Sequence, residues 1–346
     1  MRRFNLAIML IGMGLLAWLL WPQASQVGAP TNAPVVAPTD TLIKPPTQTP
    51  PKSHPSKRVP APLPAPRATT GAYGDIIGIP VLMFHRFEAQ PKNKFSIAPD
   101  EFRRVLMALK HANYCLVGLK DYLENRFDAT CEGRKLFALT FDDGHSTQLK
   151  LLPDAQVDPN SGLGVLLSVF PQAKATFFLN VSNAGRPFGP ASDQKVRRLR
   201  ELGLEIGNHT VSHPYLNRLP DTRVAQEVSN TCRYFGMNRM NLAYPYGVAP
   251  RKPITSYQTG CTINAAFGAR LGYFEGIPRG QGTQTGPFLA PLPASAAFKA
   301  MRYRLPRLNI HSLADLRRDV LENPGVYRLP AGIKPETSDL RNQLTR

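Results

Sequence analysis

The 346-residue sequence is short of tryptophan, cysteine and acid. Its two tryptophans, Trp18 and Trp21, both lie in the first apolar stretch, so the rest of the chain has none. Its four cysteines, Cys115, Cys131, Cys232 and Cys261, form no CxxC pair, which argues against a cysteine metal site. In an oxidising compartment an even count reads as disulfides, and proximity in sequence suggests Cys115–Cys131 and Cys232–Cys261. Asp and Glu number 24 against 42 Lys and Arg, a formal net charge of +18. A basic surface favours anionic partners. No nucleic-acid motif accompanies the charge, so a membrane or an envelope polymer is the expected partner, and nucleic acid is not.

Long apolar runs are also scarce. The one present, Phe4 to Trp21, follows Met1-Arg2-Arg3 and has 18 residues, near the length of one membrane-spanning helix of about 27 Å. The basic start puts the N-terminus on the cytoplasmic side. Residues 1–21 are therefore expected to be an anchor in the inner membrane, single-pass, with the remainder on the periplasmic or extracytoplasmic side. The alternative is a cleaved signal peptide and a secreted protein. Residues 22–75 carry 13 prolines among Ala, Thr, Ser and Gln, too little apolar surface to fold, and read as a disordered, extended linker.

Regular apolar spacing begins near Gly74. Ile79–Phe84, Tyr114–Val117, Leu136–Phe141, Lys174–Leu179, Leu204–Asn208, Asn241–Pro245 and Thr262–Phe267 read as strands, with Leu305–His311 as a late one. Helical spacing appears at Pro99–His111, Val165–Phe170, Asp193–Leu202, Asp221–Phe235 and Ser312–Leu321. Gly280–Ala297 reads as loop. Alternating strands and helices argue for α/β architecture with a parallel sheet or a (β/α) barrel. The expected folded domain is 76–321, followed by a polar tail at 322–346.

Two stretches carry chemistry. The strand Leu136–Phe141 ends in Asp142-Asp143-Gly144, and the carboxyl ends of parallel strands are where α/β folds place reactive groups. The strand at Leu204–Asn208 ends in His209-Thr210-Val211-Ser212-His213. Histidines at i and i+4 can share one ion, and two His with one carboxylate make a three-ligand site with positions left for water, which suits a hydrolytic metal.

Together these stretches resemble the polysaccharide deacetylase family (the NodB-homology domain, carbohydrate esterase family 4). Thr140-Phe141-Asp142-Asp143-Gly144 resembles its first motif and His209–His213 its second, H-[ST]-x-x-H. Asn241–Gly247, ending Pro245-Tyr246-Gly247, resembles the third, and Pro80–His85 resembles the opening strand of many members. The resemblance spans roughly 76–320. It implies a distorted (β/α) barrel and a metal-dependent hydrolase that removes N-acetyl groups from amino sugars of an envelope or extracellular polysaccharide. Asp142 would be the general base, while Asp143, His209 and His213 would hold a divalent metal, usually Zn2+, with Co2+ or Ni2+ also possible. The Tyr246 N–H, beside Pro245, would steady the oxyanion, and His145 would contact substrate. Sugar O-deacetylation and deformylation also occur in the family, and a weakened glycan- or partner-binding module is a further alternative.

The sequence departs from the pattern in two places and leaves two candidates for the acid. Ala243 stands where the third motif normally carries an arginine that pairs with the base, and Arg307 is the candidate to replace it. The family's L-x-x-H is met by Leu308-Asn309-Ile310-His311, so His311 is one candidate acid, and His85, at the end of the first strand, is the other. No match to the family's fourth motif, with its Asp and Trp, is visible.

Overall fold

The computed structural model describes residues 58–60, 77–181, 187–269 and 289–331. The chain divides into Met1–His54 and Pro55–Arg346, and every described residue belongs to the second unit. The expected anchor at 1–21, nearly all of the expected linker and residues 332–346 lie outside the described residues. Among the described residues no helix is long and apolar enough to cross a membrane.

The strands that carry the site are β1 (Val81–Phe84), β2 (Tyr114–Leu116), β3 (Lys135–Asp142), β4 (Thr176–Leu179), β5 (Glu205–Asn208), β6 (Arg239–Ala243), β7 (Thr262–Phe267) and β8 (Leu308–Asn309). They form one parallel sheet in the order β7-β6-β5-β4-β3-β1-β8, with β2 alongside the first half of β3. Its two ends approach each other through one short segment. Leu305 bridges Phe267 at the end of β7, and three residues later Leu308 pairs with Leu82 of β1. The architecture is thus the curved parallel α/β sheet expected, nearly closed into a barrel.

Strand alternation divides the core in two. Leu82, Leu139, Phe177 and Leu242 join an outer cluster with Phe102, Leu166 and Val228. The helices around the sheet are α1 (Pro99–His111), α2 (Leu119–Leu123), α3 (Gly162–Val169), α4 (Ser192–Glu201) and α5 (Asp221–Tyr234), and these last three residues come from α1, α3 and α5. Their neighbours Val81, Ala138, Phe178, Ala243 and Phe267 join Leu305 in a second cluster inside the curve. Small residues suit that concave side, where facing strands converge. At Gly207 a Cβ would come within 2.3 Å of the Phe178 ring, so only glycine fits there.

Four segments differ from the sequence reading. Helix α3 starts at Gly162, inside what reads as a long polar connection: Ser161 caps it by accepting from Gly164 N, and a Cβ on Gly164 would strike Asp158 O at 2.0 Å. Within the expected loop 280–297 the described part includes Ala290–Pro291 as a strand, and a helix begins at Ala296, running to Met301 and capped by Ser295. The domain also continues past 321. Val326, Tyr327 and Leu329 are buried, and Tyr327 bridges two segments: its N–H donates to Gly78 O and its carbonyl accepts from Leu136 N. The late strand contracts to Leu308–Asn309.

Candidate active site

Thr140 and Asp142 continue the inward-facing set of Ala138 along β3, so Asp142 meets the inside of the curve at the carboxyl end of the sheet. Asp143 would then point outward, but β3 ends at Asp142. Asp143 and Gly144 both take left-handed backbone conformations, φ 74° and 66°. That turn brings both carboxylates to one cleft. Left-handed φ is uncommon in residues other than glycine, and here Asp143, Thr210, His213 and Tyr246 all adopt it around the same site.

Asp142 and Arg307 are both buried and form a two-pronged ion pair. Nη1 donates to Oδ1 at 2.6 Å and Nη2 to Oδ2 at 2.7 Å. Nε donates to Gly268 O at 3.0 Å and Nη1 also to Thr140 Oγ1 at 3.1 Å, while the guanidinium lies 5.2 Å over the Phe178 ring. Arg307 sits between Leu305, bridged to β7, and Leu308, paired with β1, so barrel closure aims it at the base. Burial pushes the Asp142 carboxyl up, but Arg307 and His209 outweigh it and hold it below the usual carboxylate range. Asp142 is therefore ionised.

Asp143 Oδ1 faces His209 Nε2 and His213 Nε2 at 3.3 Å each, and the three ligand atoms lie within 4.8 Å of one another. One oxygen at 3.3 Å from two ring nitrogens is too long for charge-assisted hydrogen bonds. It is the spacing of donors converging on a shared cation. His209 Nδ1 lies 2.8 Å from Ala243 O, a contact that makes Nδ1 the donor and turns Nε2 toward the cluster. Burial and the neighbouring His209 charge push His213 down to about 4, so it is neutral at ordinary pH, as ligation requires. For Asp143, burial raises the carboxyl and the facing His209 imidazole outweighs it, leaving it ionised. For His209, burial lowers the imidazole, but Asp142 and Asp143 outweigh it and raise it. A nitrogen–nitrogen–oxygen donor set of this kind fits a divalent ion such as zinc.

His85 follows β1 and is half-buried beside this cluster, with Nδ1 lacking a hydrogen-bond partner and its ring edge-on to Phe95. Burial lowers its pKa, opposed by the charges of Asp142 and Asp143 and reinforced by Arg307 and His209. His311 follows β8, next to β1, but its Nδ1 lies 3.5 Å from Asp315 Oδ2. His145 is half-buried, with Nδ1 2.9 Å from Thr147 Oγ1. Pro245 is buried in a tight turn that presents Tyr246, 49% exposed, with its ring centre 4.5 Å from that of His213 and stacked 3.9 Å from Tyr215. The cysteines pair as Cys115–Cys131 and Cys232–Cys261.

Gln148 is a site residue that sequence reasoning missed. Its buried Nε2 donates to His85 O at 2.7 Å and to Asp142 O, clamping the ends of β1 and β3 together. Nothing in the sequence marks it, because both contacts are to backbone across a loop.

A curved parallel sheet whose strand ends gather an Asp/His/His cluster and a charged Asp–Arg pair is the deacetylase type of α/β fold. The family model described as polysaccharide deacetylase matches residues 129–259. Asp142, Asp143, His209, His213, Pro245 and Tyr246 fall inside that range, while His85, Arg307 and His311 fall outside it. A stretch of 100 residues is 34% identical to a chitin deacetylase of Arthroderma benhamiae, taking in 28% of this chain and 23% of that protein. The match thus spans less than a quarter of that relative. Among solved structures, Streptococcus pyogenes deacetylase PplD in complex with acetate is similar in fold, with a TM-score of 0.50 and 18% identity over 70% of this chain and 98% of that one. IcaB from Ammonifex degensii is 19% identical over 72% of this chain and 97% of its own, with a TM-score of 0.46.

Proposed function

We propose that this protein is a metal-dependent hydrolase that removes N-acetyl groups from amino sugars of an extracytoplasmic polysaccharide. The observation that carries the reading is the position of Asp142. Arg307 keeps it charged, and it stands 3.8 Å from His209 Nε2, at the edge of the Asp143–His209–His213 cluster. A base beside a cation site is what activation of water requires.

In this reading Asp143, His209 and His213 hold the ion. When bound, it supplies Lewis acidity toward the acetamide carbonyl and acidifies water. Asp142 accepts the proton of the attacking water as its oxygen bonds to the carbonyl carbon. Arg307 fixes both Asp142 oxygens, so the base keeps its charge and orientation without the third-motif arginine. The Tyr246 N–H donates to the carbonyl oxygen as negative charge grows there. His85 donates a proton to the nitrogen as the C–N bond breaks, and acetate and a free amino sugar leave. His85 is favoured over His311 for this role because it lies in the field of Asp142, Asp143 and Arg307, whereas His311 turns to Asp315. His145 borders the cleft and contacts substrate.

Zn2+ is the first choice of ion, with Co2+ or Ni2+ as substitutes. The two disulfides support an oxidising compartment, and the apolar run Phe4–Trp21 supports attachment at the inner membrane with the domain outside the cytoplasm. Acetate release from N-acetylated glycans, compared with the same glycans O-acetylated, tests the reaction. Release from esters alone would replace N-deacetylation with esterase action at the same site.

A further inference from the structure

His209 and His213 are four residues apart, yet no helix holds them. The loop between them is irregular, with Thr210 and His213 left-handed. Something must hold this conformation, because a relaxed loop would let the two imidazoles drift apart. Part of the answer is local: Asn208 Oδ1 accepts from Thr210 N at 2.8 Å, and Thr210 Oγ1 accepts from His213 N at 3.1 Å. The rest comes from one side chain on α5. Glu227 is only 4% exposed and faces the loop from behind. Its Oε2 accepts from two successive backbone N–H groups, Val211 and Ser212, at 2.9 Å each, and its Oε1 accepts from Ser212 Oγ at 2.9 Å.

We propose that Glu227 is the positioning residue of the metal centre: its carboxylate clamps the Val211–Ser212 backbone and thereby presets the separation of His209 and His213. The proposal rests on the reading of Asp143, His209 and His213 as the metal ligands. Two successive N–H groups converging on one carboxylate oxygen require an acceptor with several free lone pairs, which an ionised carboxylate supplies and an amide supplies only on one side. Arg223 does not compete for it, since its Nη2 is 3.8 Å from Oε1 and its side chain is 57% exposed. Asn208 links the same loop to the same helix, donating from Nδ2 to Val228 O at 2.9 Å. The Cys232–Cys261 disulfide, one turn further along α5, ties the helix to the segment entering β7. The metal loop is thus built on α5, and Glu227 is its point of attachment.

Glu227→Gln keeps the volume and removes one acceptor. Its neutral carbonyl oxygen replaces the charge-assisted bonds to the Val211 and Ser212 N–H groups with weaker ones, and the Ser212 hydroxyl must reverse to accept from the amide nitrogen. On the full-length protein we expect zinc affinity, measured by chelator competition, to fall about 10- to 100-fold, as for other groups that orient ligands. In the metal-free protein the Val211 and Ser212 amides should exchange with solvent faster than in the parent. At saturating zinc, KM for the glycan should be unchanged and turnover should recover, which a general loss of structure would not allow. Arg223→Ala should behave as the parent in both measurements. If Glu227→Gln fails to fold, Ser212→Ala removes the Oε1 contact alone and should show a smaller loss of zinc affinity. Unchanged zinc affinity together with unchanged amide exchange in the folded variant overturns the proposal. If the parent binds no zinc, the reading of the site fails instead, and the exchange of Val211 and Ser212 still decides whether Glu227 holds the loop.

Discussion

The Arg307 guanidinium closes on both oxygens of Asp142 from the segment that bridges the first and last regions of the sheet. The pair joins residues 165 apart in sequence, and both members are buried. Removing one partner of such a pair leaves an uncompensated charge, whereas the intact pair offsets its own desolvation. The position is also chemically useful, because a base that must stay ionised near a cation site needs a fixed counter-charge.

Arg307→Met should therefore do two things. It should destabilise the domain by about 3–5 kcal/mol, read by denaturant unfolding at neutral pH. It should also move the acidic limb of the kcat/KM profile to higher pH. In the parent Asp142 is held below its ordinary value, so its stabilisation is present above the unfolded carboxylate range and is lost as pH falls through the folded value. Without Arg307 that loss should begin at higher pH. An unshifted acidic limb in a folded variant would show that Arg307 does not govern Asp142.

The two candidate acids should separate under substitution. His85→Ala should lower turnover about 100-fold or more while leaving zinc affinity within a few-fold of the parent. His311→Ala should have a smaller effect on turnover. The reverse order would assign the proton donor to His311.

Metal binding should be coupled to protons. His209 is raised by Asp142 and Asp143, so in the metal-free protein it binds a proton more readily than a free imidazole does. Zinc must displace that proton. Calorimetric titration in two buffers of different ionisation enthalpy should show proton release on zinc binding near neutral pH, with affinity falling as the solution is acidified. Binding with no proton release at any pH from 6 to 8 would mean that His209 is already neutral or is not a ligand.

Much of the strand set and the four central residues are legible in sequence because their signals are local. Apolar runs end in Asp142-Asp143 and in His209, and each ending is visible without knowledge of the neighbours. Arg307 is legible only as a substitute for a missing group, since Ala243 stands where an arginine is expected. What aims Arg307 is the closure of the sheet, a contact between distant strands. Gln148 and Glu227 are invisible for the same reason, because they act on backbone groups brought near by the fold. Helix α3 hides behind glycines that read as loop, although Gly164 is there because the approach of Asp158 leaves no room for a Cβ. The buried Val326, Tyr327 and Leu329 are scattered among polar residues, and only pairing with Gly78 and Leu136 shows that they belong to the domain.

The disulfides should contribute unequally. Cys115–Cys131 spans 16 residues and Cys232–Cys261 spans 29. Loop-closure entropy assigns them about 3.1 and about 3.6 kcal/mol respectively. Cys232→Ala/Cys261→Ala should therefore lower unfolding free energy more than Cys115→Ala/Cys131→Ala. It should also weaken zinc binding, because it loosens α5 beneath the His209–His213 loop. Equal zinc affinity in the two double variants would remove that link.

The most direct test of the account is acetate release by the purified protein from an N-acetylated glycan, before and after chelation and after zinc is restored, alongside Asp142→Asn. The account predicts acetate and free amine in equal amounts, loss on chelation, recovery with zinc, and a variant that binds zinc but releases acetate at least about 1,000-fold more slowly. Acetate release that survives chelation, or an Asp142→Asn protein as fast as the parent, would contradict it.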